Sequence, residues 1–436
     1  MHPVQESQST VITFNPRRAR RVIMLLAASV GLMMTGYGIV MPVFAKRLGE
    51  FGSGVEALGF MTMAFAIAQF LLAPFMGTLA DRFGRRPLIL VGLAGVVAAN
   101  LAYLLVESTS AYIAVRFFQG AITAGLLPAA MGIVADIVPE QQRAQWVGTL
   151  MGSYSAGFIF GPALGGFLYD HWGFAAPFSL SAGLALLGLL MALVMVPETR
   201  PAAVRPVAAP RQQAAASDGG LLASLPRPLY ILASLLLLDF TAVFAFAFIE
   251  PQMVFYFYDQ LAFSTTQFGL IVGGYGLAMV FGQTVLGRLS DRFGRRPIIA
   301  LGFGLNLLFY LSLVLFEQFS LMFMAAIIAG LGGALLSPAL SAFYLDITAE
   351  QHRSRVMGLK ESAAALGGVI GPLLVAVASS WLTAENIFLT SALITLTAVG
   401  LTLVVLQAQR RAPSPVRPVP ANREVTPVTG PASSPS

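Results

Sequence analysis

The stretch GTLADRFGRRP at residues 77–87 returns as GRLSDRFGRRP at residues 287–297, 210 positions later and identical at nine of eleven positions. The same offset pairs Glu107 with Glu317, Gly120 with Gly330, Pro128 with Pro338, Asp136 with Asp346, Arg143 with Arg353, Gly157 with Gly367, and Gly161-Pro162 with Gly371-Pro372. A constant register across most of each half marks an internal duplication. Around the first copy the apolar blocks fall near 20–44, 57–79, 87–106, 110–137, 144–169 and 174–196. Around the second they fall near 228–250, 266–287, 297–316, 320–346, 354–380 and 386–406. Each is long enough to cross about 30 Å of hydrocarbon as a helix. Six spans separate equivalent positions, so the two halves run in parallel, related by an axis along the membrane normal.

Composition agrees. Of 436 residues, 57% are hydrophobic and 11% charged, against about a quarter charged in soluble chains, and the mean hydropathy is +0.78. The expected fold class is therefore an all-α membrane protein of twelve transmembrane helices in two six-helix halves. Solid apolar blocks exclude a β-barrel, whose strands alternate over about ten residues. The absence of cysteine excludes disulfides and thiolate chemistry, and three scattered histidines make no metal centre. No cofactor is expected. The net charge of +6 reads as loop arginine facing anionic headgroups rather than a nucleic-acid surface.

Sorted by loop, 23 of the 26 basic residues fall on one side, with only Lys46 and Arg47 opposite and Arg116 inside a span. The positive-inside rule then places both termini and the central linker in the cytoplasm. The expected division is a cytoplasmic tail (1–19), an N-terminal six-helix half (20–197), a cytoplasmic linker (198–226), a C-terminal six-helix half (227–407) and a tail (408–436). Both tails and the linker read as disordered from their Pro, Ala, Ser and Arg content.

Twelve spans in parallel halves, both copies of the GxLaDRxGRRP loop, and the run Gly157-x-x-x-Gly161-Pro162-x-x-Gly165-Gly166 resemble the major facilitator superfamily. The glycine run, GYGIVMP at 36–42 and VRFFQG at 115–120 are similar to the motifs of its twelve-helix drug/proton antiporters, which include multidrug and tetracycline efflux pumps. In the paired loops, Gly77 and Gly287 permit close helix approach and Asp81 and Asp291 can accept from backbone donors. Arg82, Arg85, Arg86, Arg292, Arg295 and Arg296, which flank Gly84 and Gly294, can pair with carboxylates. Asp136 and Asp346 are the natural partners. The resemblance implies a cytoplasmic latch that pins the halves in the outward-open state. Gly157, Gly161 and Gly165 form one smooth helix stripe, and Pro162 bends the helix. There the resemblance implies a seal between halves that favours exchange over leak.

Charges at membrane depth are few, and each is a default site candidate. Asp239 lies about 16 Å into the seventh span by helical rise, where it can take a proton or a cation. Glu250, eleven residues on, shares a helical stripe with Asp239, Val243 and Phe246. Arg116 resembles the basic residue that exporters of this group carry in the fourth span and is a candidate partner for Glu250. Lys360 and Glu361, near the cytoplasmic end of the eleventh span, are read as lying in a water-filled vestibule or pairing with each other's surroundings. The remaining wall is apolar and aromatic, with Phe240, Phe244, Phe246 and Phe248 in one span and Gln69, Asn100, Gln283 and Asn306 as isolated polar points. Lipophilic substrates suit such a cavity. Tyr256 and Tyr258 are read as outer interfacial residues.

The function expected is proton-coupled efflux of lipophilic or cationic drugs by alternating access, from a monomer in the cell's inner membrane, with small molecule and proton as partners and no nucleic acid. Against it stands a metabolite or sugar exporter, or an uptake carrier of the same fold. In its favour over an enzyme, the chain holds no HExxH, no nucleophile elbow and no paired carboxylates close in depth. One departure counts against coupling: no acidic residue lies between Val22 and Phe44 or between Leu88 and Val106, where related exporters carry one.

Overall fold

A computed structural model describes residues 16–199, 225–286, 289–349 and 352–405. Gly287, nearly all of the linker and most of both tails lie outside the described residues, as do the side chains of Gly77 and Asp81. In lipid each backbone polar group must be satisfied within its own segment, and the described residues form helices and no strand. The first half comprises α1 (Pro16–Val40), α2 (Val43–Glu50), α3 (Val55–Phe83), α4 (Arg85–Leu105), α5 (Thr109–Thr123), α6 (Leu126–Ile137), α7 (Glu140–Trp172) and α8 (Ala175–Met195). The second comprises α9 (Leu229–Phe255, followed by a π-turn at Tyr256–Gln260), α10 (Thr265–Leu286), α11 (Leu289–Phe293), α12 (Arg295–Leu315), α13 (Phe319–Ile347), α14 (Arg353–Ala378) and α15 (Ala384–Val405).

The 210-residue offset carries α4 onto α12 and the α5–α6 pair onto α13, end to end. Between each loop motif and the following helix the chain turns at Gly84 (φ +100°) and Gly294 (φ +91°), a left-handed conformation that any side chain would strain. Three boundaries differ from the sequence reading. The first span ends at Val40, because Pro42 cannot continue the ladder, and α2 follows. The fourth span breaks after Thr123 at Gly125, whose counterpart Leu335 lies within unbroken α13. Since both copies keep the proline (Pro128 and Pro338), the glycine makes the difference. The seventh span does not stop near Glu250, and Pro251 lies inside the helix.

Eleven helical segments among the described residues are long and apolar enough to cross a membrane. The fifth span, α7, has the length at 33 residues but mixes Gly, Ser and Tyr with its apolar residues. It packs between α1 and α10, so helices rather than lipid cover much of it. A Cβ built on Gly157 would lie 2.4 Å from the Gly31 carbonyl oxygen, on Gly161 2.6 Å from that of Thr35, and on Gly165 1.8 Å from that of Ile39. Gly157, Gly161 and Gly165 therefore pack α7 on α1 within the first half, while Pro162 and Gly166 of the same run meet the other half. A Cβ on Gly166 would meet the Thr265 carbonyl oxygen at 2.1 Å, and one on Gly269 the Pro162 carbonyl oxygen at 2.2 Å. The duplicate of this last contact is Gly59 against the Pro372 carbonyl oxygen, at 2.8 Å.

These seams lie toward the end of the bundle where α1 finishes and α10 begins, termed the far end. Asp170 of α7 clasps the start of α10 there. The Thr266 amide donates to Asp170 Oδ2 at 2.8 Å and its hydroxyl at 2.5 Å, while the Thr265 amide (3.3 Å) and hydroxyl donate to Oδ1. Tyr258 is buried rather than interfacial, and its hydroxyl donates to the Pro42 carbonyl at 2.7 Å. Toward the opposite, tail end, a Cβ on Gly148, Gly152 or Gly358 meets nothing within 4 Å. The halves are closed on each other at the far end. Replacing Asp170 by Ala should raise hydrogen exchange of the Thr265 and Thr266 amides by about tenfold or more, the size expected for bonds to a charged acceptor. Unchanged protection, read by mass spectrometry over residues 264–268, would refute the clasp.

Candidate functional site

Three cavities lie between the helices at mid-depth. The first, about 350 Å³, belongs to the first half and is lined by Tyr37, Phe65, Gln69, Gln119, Tyr154 and Phe158 among others. Gln69 donates to the Thr123 hydroxyl at 3.3 Å. A smaller cavity of about 210 Å³ spans the halves, with Tyr37, Phe44 and Arg116 facing Phe246 and Glu250. The third, about 340 Å³, lies in the second half around Asp239, Tyr275, Asn306, Lys360 and Glu361.

Arg116 is buried on α5 and held without a carboxylate. Its Nη1 donates to Gln119 Oε1 at 2.9 Å and its Nη2 to the Tyr37 hydroxyl at 2.6 Å. The guanidinium also lies over the rings of Phe65 (4.3 Å), Tyr37 (4.7 Å) and Phe44 (4.9 Å), which offset part of its desolvation. Glu250 is half-buried and shares the spanning cavity with Arg116. The two are brought together across the halves without forming an ion pair.

Asp239 is 6% exposed and Lys360 7%, and their charged atoms stand 3.7 Å apart. Asp239 Oδ2 and the Tyr344 hydroxyl are both buried without a hydrogen-bond partner. Lys360 Nζ donates to Glu361 Oε1 at 3.0 Å, and that carboxylate is 71% exposed. Of the two readings of Lys360, the structure favours pairing: it lies between Glu361 and the buried carboxylate of Asp239. Its position had a signal in the sequence: a lysine and an aspartate entering two spans from the same end.

The other polar candidates divide. Asn306 lines the third cavity and Gln69 the first, whereas Asn100 is buried within its half and bonds the Val96 carbonyl of its own helix at 2.9 Å. Gln283 is half-buried and lines none of these cavities. Of the four candidate phenylalanines in the seventh span, Phe246 alone lines one of these cavities, stacked on Tyr275 at 6.3 Å. Phe240, Phe244 and Phe248 stack at 5.3 and 5.6 Å along the face where Gly367 and Gly371 admit α9 against α14.

In each loop motif one arginine closes onto an aspartate of its own half. Arg85 pairs with Asp136 and donates to the Gly132 carbonyl, while Arg86 Nη2 donates to the Leu193 carbonyl at 2.7 Å. Arg295 Nε donates to Asp346 at 2.9 Å and its Nη1 to the Ser290 hydroxyl at 2.8 Å, beside Asp291. Arg82 and Arg292 are exposed. Glu198, which sequence reasoning passed over, accepts from the amides of Arg85 (3.1 Å) and Arg86 (3.2 Å) at the start of α4.

Two parallel six-helix halves, sealed on each other at one end and holding buried charges between their helices, make the architecture of a membrane transporter. The profile of the Major Facilitator Superfamily matches residues 24–258 and again 235–434, and the chain belongs to that family. It is 24% identical to the quinolone resistance protein NorA of Staphylococcus aureus, over 81% of this chain and 88% of that one. To the class B tetracycline resistance protein of Escherichia coli it is 29% identical, over 78% and 84%. Among solved structures, that of the human organic anion transporter MFSD10 superposes with a TM-score of 0.63 at 23% identity, over 89% of this chain and 100% of that one. A bacterial homologue of the human lysosomal transporter Spinster, inward-facing and occupied, reaches 0.71 at 15% identity, over 90% and 98%.

Proposed function

We propose that the chain is a secondary active exporter that expels lipophilic or cationic compounds in exchange for protons, with both termini and the linker in the cytoplasm. On that orientation the far end is the outer face, and the conformation described is inward-open. The observation that carries the reading is Asp239, a buried carboxylate on a cavity wall within a membrane-spanning helix, where it can hold either a proton or a substrate cation. The resistance proteins among the relatives support the same class of cargo. Arg85 and Arg295, turned to Asp136 and Asp346 of their own halves, are consistent with a latch in its released position.

The test is drug-induced collapse of a preset pH gradient in inside-out vesicles. Tetracycline and cationic dyes should release protons from vesicles holding the protein and not from empty ones. A second reading, a carrier of organic anions or metabolites, draws on Arg116, a buried cation with no carboxylate bonded to it. Silence with every drug, together with gradient collapse on adding organic acids or sugars, would favour that carrier.

A further inference from the structure

The third cavity holds three charges that do not balance. Among its lining residues, Asp239 and Glu361 are acidic and Lys360 is basic. Counted as ionised, the cluster carries one net negative charge. The three also differ in burial: Asp239 and Lys360 are shielded, whereas Glu361 is largely exposed. Lys360 stands between them, 3.0 Å from Glu361 and 3.7 Å from Asp239, closer to the solvated acid than to the buried one. At 3.7 Å the ammonium compensates Asp239 by charge without bonding it, and Oδ2 is left with no donor. The ammonium sits on four methylenes and its neighbours on the wall are otherwise neutral, so a small swing transfers it wholly to Glu361.

We infer that Lys360 is a built-in placeholder cation, which occupies Asp239 when neither proton nor substrate does and withdraws to Glu361 when a substrate cation arrives. This rests on the efflux reading and adds to it a residue that sets charge selectivity. The physical reason is the cost of stranding a buried charge. A cation that displaced an ammonium with no second partner would leave that ammonium uncompensated, a strongly unfavourable state. Glu361, next in sequence and exposed, removes that obstacle. One net negative charge then admits one positive charge, which favours monocations over dications and makes proton and substrate alternatives at the same carboxylate. An empty carrier with Asp239 already covered can return without carrying a bare charge through the bundle.

The duplication supports a role specific to this cavity. The offset places Ser29, Leu150 and Met151 at the positions equivalent to Asp239, Lys360 and Glu361, so the scaffold of the first half is built without the trio. The other half's charge, Arg116, is fixed by two hydrogen bonds and three rings and has no such freedom.

The test measures equilibrium binding of tetraphenylphosphonium, a lipophilic monocation without hydrogen-bonding groups, to the purified full-length protein. Lys360→Gln removes the competitor and should tighten binding by about tenfold, while Lys360→Arg should return it to near the parent value. Glu361→Gln removes the refuge and should weaken binding by about tenfold. The decisive arm is the double variant: with Lys360 already Gln, Glu361→Gln should change affinity by less than about twofold, because an exposed carboxylate alone acts weakly. Weaker binding in Lys360→Gln, in protein whose melting temperature matches the parent, would overturn the placeholder role and leave the efflux reading standing. So would a Glu361→Gln effect of equal size in both backgrounds. If the parent and every variant failed to bind the probe, cationic efflux would fall, and the placeholder with it.

Discussion

Asp239→Asn should abolish drug-dependent proton movement in vesicles, reducing it to the passive leak, while drug counterflow between loaded and unloaded vesicles persists. The isosteric amide keeps the shape of the cavity but can neither gain nor lose a proton in this range. Counterflow needs the halves to rock, not a proton to cross, so its survival separates a coupling defect from a folding one. Cation affinity should fall as well, because the amide offers the cation no negative charge to pair with. Lys360 keeps Glu361 at 3.0 Å, which spares the variant a stranded ammonium. If Asp239→Asn exchanges drug for protons like the parent and Glu250→Gln does not, coupling belongs to the cavity shared by Glu250 and Arg116.

The second large effect separates two glycines that a sequence alone treats alike. Gly165→Ala puts a methyl 1.8 Å from the Ile39 carbonyl oxygen, inside one half. Backbone on both sides must move, and overpacking of this kind costs about 1–3 kcal/mol or more. The expected result is a lower melting temperature and less folded protein in the membrane. Gly269→Ala puts a methyl 2.2 Å from the Pro162 carbonyl oxygen, between the halves. Here the strain is relieved by parting the seam, so the conformational balance should shift toward the far-end-open state with stability nearly kept. Because the chain has no cysteine, spin labels on introduced cysteines at the exposed Glu56 and Gln260, on opposite halves at the far end, report the separation cleanly. Equal losses of stability in both variants, with no change in label distance, would count against the distinction.

The loop motif and its offset disclosed the duplication, and the duplication the architecture, because a six-helix unit repeated in register has few ways to pack. The helix limits of α4 and α12 follow from the offset to the residue. What failed was local. Pro42 read as part of a span and Pro251 as near the end of one, yet the first ends a helix and the second sits within one. A proline removes a donor in either case, and packing decides whether the helix resumes. At the site, Asp239, Glu250 and Arg116 were legible because charge is rare in lipid. Lys360 was named but placed by distance from a helix end, when what fixes its role is the aspartate on another helix. The Asp170 clasp left no trace in the sequence: residues 170 and 265 belong to different halves and are unrelated by the offset.

The paired contacts of Gly59 with Pro372 and Gly269 with Pro162 have a consequence for inhibition. If the halves rock as proposed, these are one bearing made twice, on opposite sides of the pseudo-twofold axis, and rigid halves cannot turn on one and leave the other still. A wedge of a few atoms lodged in either notch would stall every cargo alike, whatever its charge. Escape would be hard to evolve, since any side chain that replaced the glycine to evict the wedge would itself be one.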